Sequence, residues 1–160
     1  MLYCGGMLYI EPKILEKIKS YCAYQERCHS EVRYKLIDLG VRGEELEHII
    51  GLLIEENFLN EERYAKAIVH GKLHYKHWGR RKIIQFLKSR DVSEYCIQAG
   101  LREIDEEDYR DILLQIAQKK AARLESGTPA FERHQKIIQY MVQKGFEVNL
   151  VREIVKDNIE

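Results

Sequence analysis

Apolar residues recur at intervals of three and four along the chain, which is the spacing of one face of an α-helix. Leu46, Ile49, Ile50 and Leu53 show this spacing in one segment, and similar stripes cover most of the sequence. No segment alternates apolar and polar residues between turn dipeptides, so β-strands are not indicated. The pattern therefore predicts an all-α protein with about nine helices.

A short pattern at the ends of three of these helices occurs three times. In each copy an apolar helix face runs into Gly40, Asp91 or Gly145, and an apolar residue follows at once. Glycine adopts a positive φ without strain, and aspartate tolerates it better than most residues, so each copy predicts a left-handed helix stop. The corner residues lie 51 and 54 positions apart, which indicates tandem helical units. The copies are residues 35–41, 86–92 and 140–146.

Capping and helix-breaking residues predict where the helices begin and end. Pro12 suits the first turn of the first helix, which should run to about Gln25. Trp78-Gly79 should separate the fourth helix from the fifth. Five residues are predicted N-caps of the second, fourth, sixth, seventh and eighth helices, namely Ser30, Asn60, Ser93, Asp105 and Thr128. The seventh helix is expected to stop at Ser126-Gly127.

Together the period and the caps predict an elongated array of three tandem three-helix repeats. The expected bounds are a disordered leader over residues 1–10, then repeats over residues 11–57, 58–104 and 105–160. Tandem helical units create length and surface rather than a deep cleft, so a binding function is favoured.

Charge is segregated along a chain whose net charge is zero, with 26 basic and 26 acidic residues. Residues 61–90 carry a net charge of +7, whereas residues 44–60 carry −5 and residues 91–111 carry −6. Two interpretations remain open. The basic middle segment is either a solvated surface balanced by its neighbours or a patch that faces a partner.

The middle segment contains the candidate partner-binding or DNA-binding residues. Arginine and lysine beside an aromatic ring can bind phosphate and stack on bases. Trp78 has a second interpretation, as an apolar residue that fills the helix corner. The candidates are Arg63, Lys72, Lys76, Trp78, Arg80, Arg81, Lys82, Lys88 and Arg90.

Other chemistry finds little support in the sequence. His70, His74 and His77 could present imidazoles to a metal, but no second ligand element accompanies them, so no metal site or cofactor is expected. No catalytic residues are predicted, because no nucleophile motif or glycine-rich phosphate loop occurs. The four cysteines form no CxxC pair, and no apolar run is long enough to span a membrane. Buried, reduced thiols in a cytoplasmic protein are therefore expected.

Several motifs resemble those of a known family. Residues 58–65 (FLNEERYA) are followed by residues 78–83 (WGRRKI) and Leu87, and residues 27–36 (RCHSEVRYKL) lead to Gly40. Jointly these motifs resemble the RecX family of bacterial RecA regulators, over about residues 14–158. The chain departs from the usual family pattern at Arg80-Arg81 and at Arg90-Asp91.

The resemblance implies a noncatalytic, all-helical modulator built from three three-helix repeats. Such a protein would bind the RecA filament on single-stranded DNA, lie along the filament groove, and lower ATP hydrolysis and strand exchange in DNA repair and the SOS response. A monomer with at most weak direct DNA contact is expected. The alternative is a stand-alone DNA-binding protein with helix-turn-helix-like units, although the helices after Gly40 and Asp91 are acidic and suit a DNA groove poorly.

Overall fold

The computed structural model describes residues 9–160, so the predicted leader at residues 1–10 lies almost entirely outside the described residues. Within residues 9–160 there are nine α-helices and no strand. They form an elongated array of three tandem three-helix repeats, as predicted. The helices are α1 (Pro12–Tyr24), α2 (His29–Asp38), α3 (Gly43–Glu55), α4 (Glu61–His74), α5 (Arg80–Ser89), α6 (Glu94–Arg102), α7 (Glu106–Ala122), α8 (Ala130–Gln143) and α9 (Val148–Asn158).

The three predicted corners share one backbone geometry. Gly40, Asp91 and Gly145 have φ angles of 88°, 57° and 95°, which confirms the left-handed helix stops. The next residue in each copy donates its N–H to a carbonyl five positions earlier and buries its side chain. These donor and acceptor pairs are Val41 and Leu36, Val92 and Leu87, and Phe146 and Met141. Each corner therefore orients the second and third helices of its repeat.

Three of the predicted N-caps are confirmed by side-chain hydrogen bonds. The Asn60 side chain accepts from the N–H of Arg63, and the Asp105 side chain accepts from the N–H of Asp108. Ser93 caps α6 in the same way, through the N–H of Cys96. Each bond satisfies one of the amide groups that a helix start leaves without an intrahelical partner.

Two other predicted N-caps are wrong. Helix α2 begins earlier than expected, with Cys28 at the N-cap, and the carboxylate of Glu31 accepts from the Cys28 N–H at 3.0 Å. Ser30 instead donates its hydroxyl to the carbonyl of Arg90, at 3.1 Å, and so joins the first repeat to the second. At α8 the N-cap is Pro129 rather than Thr128, whose hydroxyl donates to the carbonyl of Glu125.

Helix α7 ends at Ala122, four residues before the predicted stop at Ser126. The N–H groups of Arg123 and Leu124 donate to carbonyls only three positions earlier, so the last turn tightens and the helix ends there. The end of the apolar periodicity at Leu124 was therefore a poor guide to the end of the helix.

Two apolar cores lie within the array. The first belongs to α1–α3 and includes Ile18, Leu36 and Leu53. The second is shared by α4–α9 and contains Tyr64 and Tyr109, which lie in different repeats. Because one core serves both, the second and third repeats pack as a single unit.

The backbone also joins the second repeat to the third. The N–H of Gly79 donates to the carbonyl of Lys144 at 2.8 Å, and the N–H of Arg81 donates to the carbonyl of Gly145 at 3.0 Å. The start of α5 therefore lies directly against the corner between α8 and α9. This contact decides which side chains of the two repeats can share a surface.

Candidate partner-binding surface

Trp78 lies at the corner between α4 and α5, where the sequence predicted a helix break. His77 has a φ of 54°, and the N–H of Trp78 donates to the carbonyl of Lys72 at 3.0 Å. The indole packs edge-on against Phe86, with 5.9 Å between ring centroids, and it remains partly exposed at the margin of the core. Trp78 therefore fills the corner and still presents one part of its ring to solvent.

Two lysines flank this aromatic pair. The Lys72 amine lies 4.7 Å from the centre of the Trp78 ring and 4.6 Å from that of Phe86. The Lys82 amine lies 4.5 Å from the Trp78 ring. Contact with the ring faces stabilises both cations and restricts where their amines can lie. Neither amine has an ion pair within residues 9–160.

Arg80 occupies a different environment from its neighbours. Its guanidinium stacks on the Tyr109 ring, 3.9 Å from the ring centre, and forms ion pairs with Glu106 and Glu147. Tyr109 accepts from the Arg80 backbone N–H and donates to Glu147 at 2.7 Å. The charge of Arg80 is thus already balanced by the third repeat. A contact between Arg80 and phosphate stays a prediction, which these ion pairs disfavour.

The pKa of the Tyr109 hydroxyl is raised in the folded protein. Burial is the largest cause that raises the pKa of Tyr109, and the Glu147 carboxylate raises it further, against the opposing influence of Arg80. The phenol therefore stays protonated and keeps its role as a hydrogen-bond donor to Glu147.

Three more candidate cations lie in internal ion pairs. Arg63 contacts the carboxylate of Glu26 at 2.5 Å and also donates to the side chain of Asn57. Lys88 lies 3.5 Å from Glu94, and its side chain is largely exposed. Arg90 lies 3.3 Å from Glu31 in the first repeat and stacks over Phe86 at 5.1 Å. These pairs agree with the interpretation in which acidic neighbours balance much of the basic segment.

Lys76 and Arg81 complete the candidate set, and both side chains are exposed. Neither forms an ion pair with any residue in the described part of the chain. Together with Lys72 and Lys82 they are the four candidate cations that form no ion pair within residues 9–160. Contact of these four cations and Trp78 with an anionic partner stays a prediction.

The histidines form a link between repeats. The rings of His70 and His74 lie 4.3 Å apart, and His74 contacts the Asp108 carboxylate at 2.8 Å and the carbonyl of His70 at 2.9 Å. Partial burial lowers the pKa of His74, but the Asp108 carboxylate and the His70 carbonyl outweigh it, so the pKa is raised overall. Across residues 9–160 no cluster of three or more metal-ligating side chains occurs.

Three of the four cysteines lie in the described residues, and all three are free and buried, as expected. Burial raises the pKa of Cys22 to about 11, so its thiol stays protonated near neutral pH. Cys4 lies outside the described residues.

The sequence interpretation missed a second basic surface, on the third repeat. Between the acidic start of α7 and the corner at Gly145, residues 112–144 hold six basic residues against two acidic ones. Tyr140 lies between Lys120 and Lys144, whose amines are 4.8 Å and 5.5 Å from its ring centre.

A signal for this surface exists in the repeat itself. Phe86 and Tyr140 both lie five residues before their corner residues, and Arg90 and Lys144 both lie one residue before. In each repeat the first helix adds a lysine over the aromatic ring, Lys72 or Lys120. Aligning the copies by the corner would have predicted the third-repeat cluster from that of the second.

No helix in residues 9–160 has the length and apolar content that a membrane crossing requires.

Comparisons with known proteins agree on one family. The family model described as the second three-helix domain of RecX matches residues 60–101, and that of the third three-helix domain matches residues 106–155. Regulatory protein RecX of Clostridium perfringens strain 13 is 30% identical over 131 residues, which are 81% of this chain and 61% of that protein. Regulatory protein RecX of Lactococcus lactis subsp. cremoris SK11 is 28% identical over 142 residues, 88% of this chain and 52% of that protein. The chain thus spans between about half and three fifths of the length of these relatives.

Solved structures are similar across the repeats. The crystal structure of RecX from Lactobacillus salivarius superposes with a TM-score of 0.82 at 23% identity, covering 91% of this chain and 94% of that one. At that identity the likeness shows the fold alone. A crystal structure of regulatory protein RecX has a TM-score of 0.80 at 26% identity and covers 91% of this chain and 72% of the other.

Proposed function

The chain belongs to the RecX family, as its motifs predicted, and from this premise we propose that it is a noncatalytic regulator of the RecA recombinase. It binds the RecA filament on single-stranded DNA and lowers ATP hydrolysis and strand exchange during DNA repair and the SOS response. It acts in the cytoplasm, as a monomer, without a cofactor.

The observation that carries this proposal is an elongated array with unbalanced cations on its exterior. A filament repeats the same surface at regular intervals, so a rod of three repeats can contact several subunits at once. Modest contacts then add through effective concentration, without any single deep interface. The ion-paired groups of the second repeat hold the rod together, and the remaining cations attract the filament.

Eight of the nine candidate residues divide between these two roles. We assign Arg63, Arg80 and Arg90 to holding the repeats in place, because each pairs with an acidic side chain of another repeat. Within residues 9–160, Lys88 pairs only with Glu94, inside the second repeat. The residues that meet the filament are Lys72, Lys76, Trp78, Arg81 and Lys82.

The test is the ATPase of the cognate RecA on single-stranded DNA, titrated with this protein at two salt concentrations. Lys76→Glu combined with Arg81→Glu reverses two exposed charges and leaves the Arg80 ion pairs intact. We expect this variant to need roughly tenfold more protein for half-inhibition, with a weaker salt dependence than the unaltered chain.

The control is Arg152→Glu with Lys156→Glu, which makes the same charge change at exposed positions of α9. Inhibition by the control should equal that of the unaltered protein. If the Lys76 and Arg81 variant inhibits the RecA ATPase as well as the unaltered chain does, these two residues have no part in inhibition. If the unaltered chain does not inhibit the ATPase, the proposed function is wrong.

The helix pairs joined at Gly40, Asp91 and Gly145 favour a second candidate, a stand-alone protein that binds duplex DNA. Helix α3, which would act as a recognition helix, carries Glu44 and Glu45 in its first turn and would repel the phosphates that line a DNA groove. Strong, salt-dependent binding to duplex DNA without RecA would support this candidate over the first.

A further inference from the structure

Three clefts adjoin one another at and beside the junction between the second and third repeats. The first, of about 500 Å³, lies between α5 and α8 and is lined in part by Arg81, Lys82 and Gln143. The second, of about 270 Å³, shares Gln143 with the first and adds Lys120 and Tyr140. The third, of about 240 Å³, shares Lys120 and Tyr140 with the second. The clefts therefore form one continuous surface across two repeats.

This junction surface is strongly basic. The clefts have seven basic lining residues and no acidic one among the described residues. Lys136 is paired with Glu132, but the other six have no ion pair within residues 9–160. We call these six the junction cations, and they are Arg81, Lys82, Lys119, Lys120, Arg123 and Lys144.

Unlike the junction cations, a neighbouring arginine at this junction is balanced by carboxylates. Elsewhere at this junction, Arg80 of the second repeat is paired with Glu106 and Glu147 of the third. Carboxylates therefore lie close to the junction, but none within residues 9–160 lines the three clefts. Like charges gathered in a cleft focus a positive potential, so they attract an anionic ligand.

Aromatic rings hold several of these amines in position. Lys120 and Lys144 lie over Tyr140, and Lys82 lies over Trp78, at 4.5–5.5 Å from the ring centres. The backbone hydrogen bond from Arg81 to Gly145 joins α5, which carries Arg81 and Lys82, to the corner after Lys144. A row of positioned amines loses less conformational entropy on binding than a row of free lysines.

We propose that the junction cations bind the phosphodiester backbone of single-stranded nucleic acid, which runs from α5 across α8 to the end of α7. This inference deepens the proposed function, because it assigns the part of the filament that this surface contacts. Cations that line adjoining clefts can contact successive phosphates of one strand.

The form of the clefts favours a single strand over the other anionic partners. A protein partner normally inserts an apolar or aromatic anchor into a desolvated pocket, whereas most side chains that line these clefts are basic or amide groups. Duplex DNA is normally read by a basic helix that protrudes into the major groove. Here the cations line depressions between helices, which a flexible strand can follow.

The experiment measures binding of a fluorescently labelled oligothymidylate by anisotropy, with the complete chain and no recombinase, at low and moderate salt. The variant is Lys120→Glu with Lys144→Glu, and the control is Arg152→Glu with Lys156→Glu on α9. Neither control residue lines a cleft, and both are exposed. We expect the variant to weaken binding at least about tenfold and to reduce the salt dependence, while the control changes affinity less than about twofold.

Several outcomes would overturn the proposal. These are no binding by the unaltered chain, equal losses in variant and control, or tighter binding to a duplex of the same length. If the variant binds the oligonucleotide normally but loses inhibition of the RecA ATPase, the junction surface contacts protein and the proposal is wrong while the proposed function stands.

A second variant distinguishes a loss of charge from a loss of folding. Lys120→Gln with Lys144→Gln removes two charges without introducing new ones, and it keeps side chains long enough to cover Tyr140. It should show a smaller loss of affinity in the same direction, with an unaltered helical circular dichroism spectrum. Full affinity in this folded variant would also overturn the proposal.

Discussion

The backbone of Gly79 lies so close to that of Gly145 that a Cβ added to Gly79 would come within 2.3 Å of the Gly145 carbonyl carbon. Gly79 is the N-cap of α5, and Gly145 is the corner residue between α8 and α9. The two glycines therefore allow the second and third repeats to meet backbone to backbone. The inhibitory and nucleic-acid-binding surfaces proposed above both depend on this contact.

We predict that Gly79→Ala destabilises the protein by about 2 kcal/mol or more, because the atoms that its Cβ would meet are backbone and cannot rotate away. The measurement is the free energy of unfolding in urea. Gly71→Ala in α4 is the control, since nothing lies within 4 Å of its added Cβ. The control should stabilise the protein by up to about 1 kcal/mol, because alanine favours the helix. Equal effects of the two changes would contradict the close approach.

The three helix corners should respond differently to substitution. Gly40→Ala meets no atom within 4 Å and should cost only the strain of a positive φ, about 1 kcal/mol. Gly145→Ala bears the same strain and also clashes with Lys82, whose Cβ lies 2.4 Å from the added carbon. Gly145→Ala should therefore lower the free energy of unfolding clearly more than Gly40→Ala does.

Asp91→Gly should change stability in the opposite direction at the equivalent corner. Its φ of 57° is strained for aspartate and relaxed for glycine, so we expect a gain of up to about 1 kcal/mol. Thermal and urea unfolding of all three corner variants would measure the series. A loss of stability in Asp91→Gly would show that the aspartate side chain contributes more than the backbone strain costs.

Tyr109→Phe tests the network that holds Arg80. The change removes a hydrogen bond to Glu147 and leaves the Arg80 N–H without its acceptor, so a loss of roughly 1–2 kcal/mol is expected. Tyr75→Phe is the matched control, because the Tyr75 side chain is 75% exposed. Its effect on the free energy of unfolding should be close to zero. A similar loss in both variants would remove the special role of the Tyr109 hydroxyl.

The contact between His74 and Asp108 should depend on pH. The pKa of His74 is raised in the folded protein, so its contribution to stability is fully present below the unfolded pKa of about 6.5 and is lost as pH rises through the folded value. A double-mutant cycle of His74→Gln and Asp108→Asn should therefore show coupling near pH 5.5 that has disappeared by about pH 8. Titration of the His74 ring by NMR checks the direction of the shift, and a value below about 6.5 would contradict it.

Local patterns in the sequence were reliable where the cause is local. The left-handed corners at Gly40, Asp91 and Gly145 and the caps at Asn60 and Asp105 each depend on a few neighbouring residues. The wrong N-caps, Ser30 and Thr128, each lie within two residues of the observed N-cap, Cys28 or Pro129. A glutamate three positions after Cys28 decided between them at α2.

The candidate surface was less predictable, because ion pairs are formed between residues far apart in the sequence. Arg80 pairs with carboxylates 26 and 67 positions away, so its charge looked free in the sequence and is balanced in the fold. Conversely, Lys120 and Lys144 looked unremarkable in a segment with mixed charges. They gain importance only because α7, α8 and α5 meet at one junction.

The sequence by itself determined the helices, their period and their corners, since hydrophobic spacing and positive-φ residues act over one or two helical turns. It also determined the family, through motifs that are specific when taken together. Only the tertiary structure decided which cations are balanced and which remain available to a partner. That outcome depends on distances between side chains of different repeats, and these are set by the contact between Gly79 and Gly145 and by the apolar core that α4–α9 share.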